Sequence, residues 1–178
     1  MRLLITLLTM SCICSCWGKD PSPRVVVERT SGWNASPVFP ENLTADAQII
    51  VFYSDGRFGV INGILGKSSR GHEVSVLFGE GYSIFSGCWT VTGRKVNAMA
   101  APVYLPSPIT PKPEPRKYEF VISGNGLMTS KGIKNQLDTN RPTESIRNIR
   151  PITDILESRT KSFESSSGSI VWQCVGNK

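Results

Sequence analysis

Cysteine is the residue whose number and spacing carry the most chemistry in this chain. There are five, and Cys12, Cys14 and Cys16 crowd into the first twenty residues. That stretch reads as an export signal. It has a basic tip at Met1-Arg2, an apolar run from Leu3 to Met10, and small residues before charge returns at Lys19-Asp20. The run falls far short of the roughly 20 residues that span a bilayer. Removing such a signal leaves Cys88 and Cys174 as the cysteines of the folded part. Exported chains meet an oxidising compartment, so the two are expected to form a disulfide across a loop of about 85 residues. A metal centre is not expected, because one histidine and no third cysteine would have to supply the ligands.

Other residue types offer less. His72 lies in the polar segment Ser68-Ser69-Arg70-Gly71-His72, and a nucleophilic triad would need an acid to position it. Asp55 and Glu80 sit in expected turns and are the carboxylates available for a glycosidase-like pair. Gly79-Glu80-Gly81 and Gly124-Asn125-Gly126 lack the third glycine and the following helix of a dinucleotide loop. No catalytic constellation emerges, and neither an enzyme nor a cofactor is expected. Loop position makes Arg57, Arg70 and His72 the residues expected to touch a ligand.

The signal ends in Ile13-Cys14-Ser15-Cys16, which resembles the lipobox of bacterial lipoproteins. An aliphatic residue stands at −3 and a small one at −1 before a cysteine. The resemblance covers these four residues, behind an apolar stretch of fitting length, and says nothing of the remaining chain. It implies cleavage before Cys16 and lipid on Cys16, so that the domain is tethered to a membrane. Each buried methylene adds about 0.8 kcal/mol, and several acyl chains hold firmly. Cleavage after Gly18, with Cys16 and Gly18 as the small residues, would secrete the protein instead. The expected organisation is a signal over 1–15, a lipidated linker over 16–23 and one β-rich domain over 24–178.

Charge points to partners. The formal net charge is +6, spread along the chain and densest late, at Lys131, Lys134, Arg141, Arg147, Arg150, Arg159 and Lys161. An anionic envelope component or an acidic protein is the expected partner besides the membrane. Nucleic acid is not, since no binding motif accompanies the charge. Two glycosylation sequons, Asn34-Ala35-Ser36 and Asn42-Leu43-Thr44, would matter only in a eukaryotic host.

The elements that must position these residues are mostly strands. Strands are expected over 24–28, 48–53, 58–65, 73–78, 82–91, 95–104 and 118–123. Asp55-Gly56 and Asn125-Gly126 mark hairpins, the first as a type I′ turn. In the strand after Tyr82, Ser83, Phe85, Gly87, Trp89 and Val91 share one face, and Gly87 is expected to mark a bulge or a close backbone approach. Five prolines stiffen the loop 105–116, and 130–150 reads as a long polar loop. Pro151 opens a short helix with Ile152, Ile155 and Leu156 on one stripe. A serine-rich linker over 162–169 then leads to a final strand over 170–175. Trp89 and Trp172 are expected to pack around the disulfide. The fold class is all-β: an antiparallel meander of about eight strands forming a small barrel or sandwich, with one short helix near the C-terminus. The expected function is binding, of a protein, an envelope polymer or a small amphiphile in a barrel mouth. A secreted carboxylate hydrolase and a purely structural envelope lipoprotein are the alternatives.

Overall fold

The computed structural model describes residues 23–36, 41–68, 70, 74–77, 82–106, 114–122, 128–130, 136–137, 146–147 and 149–174. Its strands are β1 (Arg24–Arg29), β2 (Asn34–Ala35), β3 (Asn42–Phe52), β4 (Arg57–Ser68), β5 (Val74–Leu77), β6 (Ser83–Thr92), β7 (Lys95–Tyr104), β8 (Arg116–Ile122), β9 (Met128–Ser130), β10 (Gln136–Leu137) and β11 (Ile146–Arg147), followed by helix α1 (Ile149–Ser167). They form one sheet in the order β10-β1-β3-β4-β6-β7-β8-β9, with β2, β5 and β11 attached at its side. Pairing is antiparallel apart from the two-residue β5–β11 contact. The expected antiparallel all-β fold with a single helix is what forms, and the sheet curls into a half-barrel.

An aromatic contact shows which face is concave. The Phe52 ring on β3 lies 5.2 Å from the Phe120 ring on β8. In a flat sheet, four strand spacings would part those strands by about 19 Å. The face carrying Phe52, Phe58, Val60, Phe85, Trp89, Val96, Ala98 and Phe120 is therefore the inside of the curl. The outer face carries Val25, Val27, Ile49, Val51, Ile61 and Ile84, packed against Ile152 and Leu156 of α1.

Small residues let α1 sit close. A Cβ on Gly59 would overlap the Leu156 side chain, which is fully buried. Nearby, the Thr160 hydroxyl donates to the Leu156 carbonyl at 2.8 Å and lies 3.0 Å from Ser86 Oγ, so Ser86 is the donor of that shared bond. Gly87 has a different neighbour, because a Cβ there would run into the backbone of Met99 and Ala100 on β7.

Several sequence expectations need correction. The Asp55-Gly56 hairpin is present, but its turn is a three-residue one. Gly56 N–H donates to Tyr53 O and Tyr53 N–H to Arg57 O, with Gly56 at φ 89°. This is a turn followed by a glycine bulge, the commonest longer hairpin connection, and not type I′. Of the two alternatives at Gly87 the close backbone approach, to Met99 and Ala100, is the one present, and the bulge in β6 lies between Ile84 and Phe85. The 130–150 stretch contributes β10, β11 and the start of α1. The short helix runs 19 residues, through most of the serine-rich segment. Its serines bond back to helical carbonyls, Ser165 to Lys161 O and Ser166 to Phe163 O, and the stop comes at Gly168, with φ 67°. The residues 170–174 form no strand. The Asn125-Gly126 turn lies outside the described residues, as does most of the proline-rich loop.

Gly87→Ala is expected to cost about 3 kcal/mol, since a strand backbone must move. Gly59→Ala should cost less, because the Leu156 side chain can turn aside. Urea unfolding of both variants with the disulfide intact ranks them, and equal losses would contradict this reading.

Candidate functional site

At the hairpin end of the outer face a latch holds the C-terminal segment to the sheet. Cys88 and Cys174 form a disulfide across a sequence separation of 86. Between them Glu164 Oε1 accepts the N–H groups of Val171 (2.8 Å) and Trp172 (3.2 Å). The Trp172 ring then covers Arg57, whose guanidinium carbon lies 4.7 Å from it and 4.3 Å from the Tyr53 ring. The same guanidinium pairs with Asp55 at 2.7 Å and Glu157 at 3.6 Å. Arg57 is thus shared among a turn, a helix and the C-terminal segment. The Tyr53 hydroxyl is buried without a hydrogen-bond partner. Burial is the main cause that raises its pKa above 10, the nearby Glu157 charge adds to it, and Arg57 opposes.

The concave face changes character along its length. Past the aromatic cluster, strand register places Glu28, Gln48, Asn62 and Ser83 in one row across β1, β3, β4 and β6. Asn62 Nδ2 donates to Ser83 Oγ at 3.1 Å. Glu28 is buried, while Gln48, Asn62 and Ser83 are half-buried and Ile64 beyond them is exposed. A carboxylate, two amides and a hydroxyl in line can both donate to and accept from a polar ligand.

At this same end the outer face carries cations held on rings. Trp33 has Lys67 Nζ 4.4 Å from its centroid and the Arg29 guanidinium at 5.4 Å. It packs against the cluster that includes the buried Ala47. Further along, Tyr82 and Tyr104 stack at 4.7 Å. Arg159 lies 4.4 Å over Tyr104 and donates to Tyr82 Oη at 3.1 Å. A third surface is a shallow depression of about 420 Å³ beside the disulfide, lined in part by Thr90, Met99, Lys117 and Glu119.

The sequence-derived candidates are dispersed. Arg57 is engaged in the latch. Arg70 is exposed beyond β4, its N–H donating to Ser68 Oγ at 3.4 Å. Cys16, His72 and Glu80 lie outside the described residues, and Asp55 is tied to Arg57. Asn34 is exposed on β2, and Asn42 opens β3. Trp89 is core, its Nε1 donating to Tyr53 O at 2.9 Å. Among the described residues no group of three His, Cys, Asp or Glu side chains could hold a metal. No protein-family model, curated protein or solved structure matches the chain. Sequence reasoning missed the Trp33 and Tyr104 clusters.

Replacing both Cys88 and Cys174 by serine is expected to cost about 4 kcal/mol and to red-shift the fluorescence of Trp172 as it leaves Arg57. Unchanged stability and emission would mean the latch holds without its disulfide. For Tyr53 the folded protein keeps its proton above the pH at which the unfolded chain loses it. Stability is therefore full below about pH 10 and falls above it, with a slope of about one proton for this tyrosine. Tyr53→Phe should reduce that alkaline slope by about one proton in pH-dependent denaturation.

Proposed function

We propose that this chain is an exported, membrane-tethered β-domain of the bacterial envelope that acts by binding, with its ligand taken at the open end of the half-barrel. The observation that carries this reading is the row Glu28, Gln48, Asn62 and Ser83 on the concave face, next to a filled aromatic core. Such a surface offers hydrogen bonds in fixed positions on a rigid sheet, which is what a specific binding site needs.

The lipobox-like Ile13-Cys14-Ser15-Cys16 supports the tether. A lipid on Cys16 would join β1 through the linker 16–23, whose full reach is about 25–30 Å. The domain would then work close to the surface that anchors it. β1 begins at the end that carries the β3–β4 and β6–β7 hairpins. The polar row lies towards the opposite end of the sheet, away from the tether point.

Two measurements test the proposal. Intact mass of the mature protein from native membranes should correspond to a chain starting at Cys16 plus acyl groups, and Cys16→Ser should move the protein out of the membrane fraction. A mature chain starting at Lys19 without lipid would overturn the tether. For the binding reading, the protein should co-sediment with isolated envelope polymer, and Asn62→Leu should weaken that association with Tm nearly unchanged. No co-sedimentation would leave a structural role as the better account.

A further inference from the structure

We propose that the outer face at the Arg29 end grips a linear polyanion of the envelope, with Arg29 and Lys67 around Trp33 as one contact and Arg159 beside Tyr104 as a second. This rests on the binding reading above and names the ligand's chemistry.

The ring-held cations differ in their counter-charges. At the hairpin end Arg57 is neutralised by Asp55 and Glu157. At the other end Arg29, Lys67 and Arg159 rest on aromatic rings. None of the three forms an ion pair among the described residues. Asp46, exposed at that end, reaches none of them. Two like charges meet at one ring, which costs energy unless an anion joins them. Arg29 Nε is moreover buried with no hydrogen-bond partner. A buried guanidinium N–H without an acceptor is costly, and an arriving oxyanion would supply one. The rings hold the cations in place beforehand, so little side-chain freedom is lost on binding.

Spacing argues for a chain and against a small ion. Register places Arg29, Ala47 and Gly63 in one row of the outer face across β1, β3 and β4, and Tyr82 immediately precedes β6, whose Ser83 pairs with Asn62. Three strand spacings separate β1 from β6 by about 14 Å. One phosphate or carboxylate cannot bridge that gap, whereas a polymer with repeated anionic groups can. The tether would attach at the opposite end of β1, so this face meets polymer beyond the protein's own membrane more readily than that membrane's headgroups.

The test uses the mature protein in detergent micelles. Long-chain polyphosphate and polygalacturonate serve as polymeric probes, orthophosphate as the monomer, and vesicles with and without phosphatidylglycerol as the lipid source. Both polymers should bind, orthophosphate at equal charge should not, and affinity should fall as salt rises. Lys67→Met and Arg159→Gln should each weaken polymer binding about five-fold and lower its salt slope by about one. Arg94→Gln, at the hairpin end, should leave it unchanged. Equal loss in Arg94→Gln would reduce the effect to diffuse charge and overturn the proposal. So would orthophosphate binding as well as polymer. Preference for anionic vesicles without polymer binding would assign the surface to lipid headgroups and overturn it too. Fractionation of Cys16→Ser reads the tether separately, and co-sedimentation of Asn62→Leu reads the concave row. Failure with the polymeric probes alone therefore rejects this inference and leaves the broader reading standing.

Discussion

Strand β3 imposes the constraint on which everything else depends. Ile49, Ile50, Val51 and Phe52 follow one another and are all fully buried. Side chains alternate across a strand, so a run like this must be covered on both faces. A single flat antiparallel sheet covers neither. The chain meets the demand in two ways. On one side the sheet curls until Phe52 touches Phe58, Trp89 and Phe120. On the other, α1 and the segment behind it close over Ile49, Val51 and Tyr53.

The two coverings differ in how they are secured. The curl is held by apolar packing among rings at tilted or edge-on angles, the arrangement aromatic quadrupoles favour. Buried tyrosine belongs to this side too: Tyr118 faces the cluster, and burial raises its pKa above the usual value. The outer covering is a single helix, and one helix leaves a sheet face partly open. It is fastened by a disulfide, by Glu164 accepting two backbone N–H groups, and by Arg57 reaching Asp55, Glu157 and two rings. Arg57 therefore belongs to the architecture, although its place in a turn suggested a ligand contact.

That division explains where recognition chemistry can lie. The hairpin end is filled with rings on the inside, and on the outside its Arg57 is already paired with Asp55 and Glu157. The opposite end keeps half-buried amides and a hydroxyl on its concave face, and cations on rings outside. Among the described residues the ion pairs of Arg57 lie where the C-terminal segment has to be held down.

Strand periods, the fold class, the Asp55-Gly56 hairpin and the pairing of Cys88 with Cys174 were legible in the chain before any contact was known. These rest on local rules, or on a count that leaves one partner. The sequence also indicated the apolar stripe of Ile152, Ile155 and Leu156, because helical spacing is visible without knowing what it packs on. Tertiary structure alone decided the rest. Serine-rich sequence reads as linker, yet 162–167 is helical, because Thr160 and Leu156 anchor the preceding turns to Ser86 and Gly59 and the helix extends from there. Ile170 to Cys174 alternates like a strand, but Cys174 is bonded to Cys88 on the face of β6 and the segment forms no strand. The polar row and the ring-held cations were invisible for one reason. Glu28, Gln48, Asn62 and Ser83, or Arg29, Lys67 and Arg159, are far apart in the chain, and only strand register and the path of α1 bring them side by side.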